Sequence, residues 1–228
     1  MSRRPHLLVI DPAMITPEDQ GAAEIARCWE GDWSIVRPCL RPGDGPGPST
    51  GYDLDAVAVM GSKASVRDDH AWMRDLAAWL TPIVRGEVRR PLLGICFGHQ
   101  LVAQLAGARV DWTHADRREE RGFPETTLAG GRLVPGTHRL RVVASHYEAV
   151  HQVPAGFRVT ASRPHVPIDG LEHVELPIFT WQFHPEGRDR FATKVGLDPE
   201  GIDVRLREDS RRLLDAFCVT ANQLVEKK

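Results

Sequence analysis

Four short apolar runs alternate with segments of helical period through Gly107, and this pairing most constrains what the chain can become. The runs are His6–Ile10, Trp33–Arg37, Ala56–Met60 and Pro91–Cys96 (PLLGIC). Apolar runs of this length, bounded by turn residues, read as strands, and continuous ones as strands buried on both faces. Between the first two, Thr16-Pro17-Glu18-Asp19 predicts a helix start. Thr16 would be the cap, Pro17 would sit in the first turn and the acids would face the positive end of the dipole. That helix should run to about Trp29. Ala71–Arg85 places Trp72, Leu76, Leu80 and Ile83 on one helical face; Pro82 should kink or restart it, with Thr81 as a second cap. Gly98–Ala106 is a third helix, stopped by Gly107. Strands alternating with helices predict an α/β fold, an open and mostly parallel sheet covered by helices on both faces.

The texture changes in the second half. Between Arg117 and Phe183 the pattern predicts short strands at Glu125–Leu128, Arg139–Ala144, Phe157–Ser162, Leu171–His173 and Ile178–Phe183. These extend the sheet edge or form a few extra antiparallel strands. Leu206, Ser210, Leu213, Leu214, Phe217, Ala221 and Leu224 lie on one face of a closing helix. Arg41–Gly51 (RPGDGPGPSTG) is a loop, since its glycines and prolines interrupt any ladder. The 228 residues, 42% hydrophobic and 26% charged, suit a single domain over residues 1–228.

Composition also narrows function. A balance of 29 basic and 31 acidic residues lacks the basic excess of a nucleic-acid-binding face. No run of ~18 apolar residues can form a membrane span. The apolar stretch Leu7–Ile10 is too short for a secretory signal, so the expected compartment is the cytoplasm. Cys28, Cys39, Cys96 and Cys218 form no CxxC pair, and the histidines form no HExxH, so no metal site is expected.

The sharpest chemical feature is Gly94-Ile95-Cys96-Phe97-Gly98-His99-Gln100. It lies where a buried strand must turn at once into a helix. A nucleophile between small residues at such a turn is an elbow, which lifts the side chain from the sheet edge. The helix N-terminus favours a thiolate, and open α/β sheets place their sites at the carboxyl ends of their strands. A structural cysteine buried before a tight turn is the competing reading. A cysteine nucleophile needs a base, and the base an orienting group. Trp181-Gln182-Phe183-His184-Pro185-Glu186 offers both: His184 ends an apolar strand and Glu186 stands two residues on. Alone, this segment also reads as a surface turn.

Together, GICFGHQ and QFHPE resemble the class I glutamine amidotransferases, over Leu7 to about Gly187. The likeness is greatest to small stand-alone members and to the glutaminase domain of GMP synthetase. The resemblance implies a flavodoxin-like fold. It implies Cys96 as the nucleophile on the glutamine amide, His184 as base and then acid, and Glu186 as its orienting partner. Gly61-Ser62-Lys63 stands where the family has a GGP-type turn, so the implied oxyanion donors are the N–H groups of Ser62 and Phe97, with Gly61 at the substrate. Ser145-His146-Tyr147-Glu148 is similar to the family's S-H-G-D stretch, which implies Ser145, His146 and Gln100 at the unreacting end of the substrate. Ser62, Lys63, Tyr147 and Glu148 depart from the family pattern, and a turn that needed positive φ would be strained by Ser62. The chain has no GxxxxGK[ST] phosphate loop and no SGGxDS loop. No cofactor is therefore implied, and ammonia would pass to a separate ATP-using synthetase. Two other readings remain: a γ-glutamyl hydrolase acting on a conjugate, and a non-catalytic regulatory member of the fold.

Overall fold

The computed structural model describes residues 3–226. Its first half runs β1 (His6–Ile10), α1 (Asp19–Ala26), β2 (Asp32–Val36), β3 (Ala56–Val59), α2 (Ala71–Val84), β4 (Leu92–Ile95) and α3 (Phe97–Leu105). The strands that follow are β5 (Val110–Trp112), β6 (Glu120–Gly122), β7 (Glu125–Ala129), β8 (Thr137–Arg141) and β9 (Ala144–His146). Then come β10 (Glu148–Val150), β11 (Phe157–Arg163), β12 (Val166–His173) and β13 (Ile178–Trp181). Helices α4 (Asp189–Lys194) and α5 (Val204–Glu226) close the chain.

The main sheet has the order β2-β1-β3-β4-β13-β12-β11-β7-β8. It is parallel from β2 to β13 and antiparallel beyond. Two small antiparallel ladders, β10 with β5 and β6 with β9, lie outside it. Alternation along each strand sends successive side chains to opposite faces. Leu8, Ile10, Val57, Val59 and Leu92 pack with Leu76, Trp79 and Leu80 of α2 and Leu101 of α3. Their neighbours Leu7, Val9, Ala56, Ala58, Leu93 and Ile95 pack with Ile25 of α1 and Leu213, Leu214 and Phe217 of α5. Both faces of the parallel strands are thus buried, which explains why these strands read as continuous apolar runs. Among the described residues, no helix is long and apolar enough to cross a membrane.

Three expectations need correction. The first helix begins at Asp19, not after a Thr16 cap, and its N-cap Glu18 makes no side-chain capping bond. The buried Asp11 carboxylate accepts the N–H groups of Ala13 (3.1 Å) and Glu18 (2.9 Å) and holds this stretch as a loop. Pro82 neither restarts α2 nor is preceded by a cap: the helix runs on to Val84. The Thr81 hydroxyl instead donates back to the Ala77 carbonyl at 2.7 Å, within the helix. The predicted strand Arg139–Ala144 divides, since β8 ends at Arg141 and β9 leaves to pair with β6.

The turn from β4 into α3 is tight because helix and sheet meet backbone to backbone. A Cβ on Gly98 would lie 2.2 Å from the Val59 carbonyl oxygen, and one on Gly94 would lie 2.7 Å from the Gly98 carbonyl oxygen. Neither neighbour is a flexible side chain that could give way. Gly98→Ala should therefore cost ~3 kcal/mol or more, toward the upper end of overpacking penalties. A urea denaturation midpoint equal to that of the native sequence would contradict this packing.

Candidate active site

Cys96 joins β4 to α3 with φ 51° and ψ −100°, a conformation L residues rarely adopt. Its N–H donates to the Trp181 carbonyl at 2.8 Å, and its carbonyl accepts the Gln100 N–H at 3.0 Å. These bonds hold the strained residue between β13 and the first turn of α3. Phe97 and Gly98 open that helix, so their N–H groups have no carbonyl four residues back to bond. The elbow lifts the side chain from the sheet edge without exposing it to bulk solvent. Cys96 is only 4% exposed, at the floor of a cleft of about 750 Å³.

His184 follows β13, and its N–H donates to the Val143 carbonyl at 2.8 Å. Its ring packs on Phe191 of α4, with centroids 4.3 Å apart. Nδ1 lies 2.8 Å from Glu186 Oε1, while Nε2 is buried with no formed hydrogen bond. Gly61 permits this placement: a Cβ there would lie 2.6 Å from His184 Cε1 and 3.4 Å from Cys96 Cβ. Gly21 of α1 makes room for Glu186 in the same way, since a Cβ would stand 2.9 Å from Glu186 Cγ. Burial alone would push the imidazole pKa down. The negative charges of Glu186 and Cys96, with the hydrogen bond to Glu186, instead raise it to about 10. The arrangement can hold an imidazolium beside the Cys96 sulfur.

Ser62, Cys96, Gln100, Ser145 and His146 line the cleft. Gly61 packs against the Cys96–His184 pair, and His184 and Glu186 are buried beside it. The Ser62 hydroxyl donates to the Pro12 carbonyl at 2.7 Å and accepts the Ala64 N–H at 3.1 Å. Neither Gly61 nor Ser62 has positive φ, so the strain expected from serine at this turn does not arise. Gln100 Nε2 donates to the Glu148 carbonyl (2.7 Å) and to Gln182 Oε1 (3.1 Å). The Ser145 hydroxyl donates to Glu119 Oε1 at 2.8 Å. The His146 ring is turned to the protein: Nε2 accepts from Arg163 at 2.8 Å, and Nδ1 reaches the Glu148 carbonyl at 3.0 Å. Burial, then the Arg163 charge, hold His146 neutral.

Sequence reasoning missed Arg117, Glu119, Arg121 and Lys194, which also line the cleft. They come from the segment around β6 and from α4, too short to carry a period. Among the described residues, no group of three or more His, Cys, Asp or Glu side chains is placed to hold a metal ion.

Comparison with known proteins gives the family. The family model described as "Glutamine amidotransferase class-I" matches residues 61–196, from the Gly61 turn through Cys96 and His184 to just past α4. The chain is a class I glutamine amidotransferase family member. Among its relatives is a GMP synthase (glutamine-hydrolyzing) of Burkholderia vietnamiensis, 34% identical over 166 residues. That match covers 64% of this chain and 29% of the relative. One of the subunits of GMP synthase (glutamine-hydrolyzing) from Methanopyrus kandleri is 41% identical over 103 residues, covering 44% of this chain and 53% of that one. The chain thus spans only part of the length of the curated relatives it matches. The solved structure of a glutamine amidotransferase from Thermotoga maritima shares the fold, with a TM-score of 0.75 at 18% identity. The match covers 96% of this chain and 99% of that one.

In this family member, the charge on His184 gives a test by titration. The folded pKa of about 10 lies above the ordinary value of 6.5. Protonation of His184 therefore favours the folded state. This contribution is full below pH 6.5 and is lost as pH rises through about 10. Imidazole ¹⁵N NMR should find His184 protonated at about pH 8, where an unperturbed histidine is neutral. Cys96→Ala removes one of its two negative neighbours and should lower the titration midpoint. An identical midpoint in both proteins would show that the sulfur does not act on the ring.

Proposed function

We propose that this chain hydrolyses the side-chain amide of glutamine through a cysteine thioester and passes the ammonia to a separate ATP-using synthetase. The observation that carries the reading is the strained Cys96 elbow set beside the buried His184–Glu186 pair. In the first half-reaction the Cys96 sulfur attacks the amide carbon. The carbonyl oxygen becomes an oxyanion, which the Ser62 and Phe97 N–H groups receive. Such donors typically contribute ~3 kcal/mol each. The C–N bond then breaks. The proton on His184 goes to the departing nitrogen, so that ammonia rather than amide ion leaves. Water attacks the resulting γ-glutamyl thioester, His184 takes its proton, and glutamate and the free thiolate are released. Glu186 keeps the ring oriented and stabilises its charged form.

Gln100 and Ser145 serve the unreacting end of the substrate, with His146 supporting them from behind through the Glu148 carbonyl. Residues 1–228 act as one amidotransferase domain in the cytoplasm. The relatives named GMP synthase support a glutamine-hydrolysing role. The Methanopyrus kandleri relative is named as one subunit of its enzyme, which fits work alongside a partner chain. A γ-glutamyl conjugate is the second reading. The cleft of about 750 Å³ is in the range of sites that take drug-sized ligands, larger than a single amino acid needs.

Ammonia and glutamate release, from glutamine and from γ-glutamyl conjugates, with and without candidate synthetases, tests this function. Cys96→Ala should lower glutamine turnover by at least ~1,000-fold without unfolding the protein, since no other group can form the thioester. Iodoacetamide near neutral pH should label Cys96 first. The rival thiols are all pushed up: Cys28 by its hydrogen bond to Asp215, Cys39 by burial, and Cys218 by burial to about 12. Inertness toward glutamine, combined with turnover of a conjugate, would replace the first reading with the second.

A further inference from the structure

The proposed mechanism leaves one fully buried polar side chain beside the nucleophile without a role. Gln182 follows β13 and is 0% exposed. Its Nε2 lies 3.7 Å from Cys96 Sγ, and its Oε1 lies 3.1 Å from Gln100 Nε2. The direction of these bonds is set by chemistry. The Glu148 carbonyl can only accept, so the Gln100 atom 2.7 Å from it must be the amide nitrogen. That nitrogen has two hydrogens, and the second points at Gln182, which must answer with its oxygen. Gln182 is thereby obliged to present N–H to the sulfur. Its own backbone N–H, bonded to the Asp169 carbonyl at 2.9 Å, fixes the main chain from which the side chain reaches. Both Gln100 hydrogens are committed in this chain, so its Oε1 is left to meet a substrate donor.

We propose that Gln182 is a positioning residue: it donates a hydrogen bond to the Cys96 sulfur and links that sulfur, through Gln100, to the end of the cleft that holds the unreacting part of the substrate. The cost of burying this amide is offset by its two hydrogen bonds, the more so when the sulfur acceptor is ionised. A thiolate is a better acceptor than a thiol, so the donor favours the ionised form and holds it in one rotamer. A substrate group bound to Gln100 Oε1 would tighten the amide chain and, with it, the aim of the nucleophile. The kinetic arm of this inference rests on the glutaminase reading, whereas the alkylation arm needs no substrate.

The test compares Gln182→Met, which keeps volume and loses the donor, with the native protein. The readouts are the pH profile of Cys96 alkylation by iodoacetamide, and kcat and KM for glutamine. The other ionisable groups around the sulfur stay in place: His184 and Glu186 after β13, His146 on β9, and Lys63, Asp68, Arg117, Glu119, Arg121, Tyr147, Glu148 and Lys194 in the cleft walls. Loss of the donor should move the alkylation midpoint up by about half to one pH unit. It should lower kcat about tenfold while KM stays within about threefold. Gln100→Met leaves Gln182 present but untethered and should move the midpoint less, in the same direction. A folded Gln182→Met protein with the native alkylation profile overturns the proposal. A loss of kcat with an unmoved profile does the same, since a merely structural role would give that result. Should Gln182→Met not fold, as judged by its urea transition, a native profile in Gln100→Met overturns the proposal instead. A native protein inert to glutamine defeats the glutaminase reading alone, and the alkylation profiles still decide the role of Gln182.

Discussion

The geometry of the candidate site depends on a single close approach, the backbone of Gly98 against the carbonyl of Val59. A side-chain atom at position 98 would fall 2.2 Å from that oxygen. The contact draws the first turn of α3 down on the end of β3, the strand beside β4. Two consequences follow from the same approach. Cys96, squeezed between β4 and α3, must take φ 51°. The chain leaving β3 passes beside it, so that a Cβ on Gly61 would meet Cys96 Cβ at 3.4 Å. Cys96 and the neighbouring turn are therefore placed by packing of the core, before any polar interaction is considered. Well-packed elements at this distance are not continuously adjustable, which is what a site needing sub-ångström placement requires.

Three buried histidines show that burial decides charge unless acidic neighbours override it. Burial drives His99, whose Nδ1 lies 2.8 Å from the Thr180 hydroxyl, down to about 3. His146 is also pushed well below its ordinary value, by burial and by the Arg163 guanidinium. His184 is as buried as these, yet moves up to about 10. The difference is that two acidic groups face its ring and no cation does. An ion pair in the interior is a poor source of stability, because desolvation opposes it. Its consequence at this site is a protonated ring beside the Cys96 sulfur.

The sequence made the parallel half of the fold legible because its strands are buried on both faces and its helices on one. Runs such as Ala56–Val59 and amphipathic segments such as α2 carry unambiguous periods. The Cys96 elbow was readable for a related reason, since glycines at 94 and 98 mark backbone contact whatever the chemistry. The small ladders were not readable. β5, β6, β9 and β10 have three residues each, less than two full alternations, so no pattern separates them from loop. The cleft walls come largely from these pieces and from α4, which is why Arg117, Glu119 and Lys194 went unseen. Thr16 misled because local capping chemistry was outcompeted from a distance: Asp11, 0% exposed, takes the Glu18 N–H itself. His146 was found by motif, but the direction of its ring depends on Arg163, seventeen positions along the chain on β11.

The turn after β3 shows how a departure from a family pattern can be absorbed. Two glycines in succession there suggest a need for conformational freedom, and Ser62 would then be strained. Positive φ is absent at both positions, so the backbone makes no such demand. The glycine that cannot be replaced is Gly61, and the reason is contact: a Cβ would strike His184 Cε1 at 2.6 Å. Position 62 has room for a side chain, and the hydroxyl uses it to tie the Pro12 carbonyl to the Ala64 N–H. Lys194 of α4 grips the same loop, donating to the Thr16 carbonyl at 2.9 Å and pairing with Glu18 at 3.0 Å. The segment that carries the Ser62 N–H is thus anchored on its outer side by the loop after β1 and on its inner side by the His184 ring. Serine replaces the freedom of glycine with a fixed orientation, so that in the proposed reaction the Ser62 N–H would meet a developing negative charge already held in place.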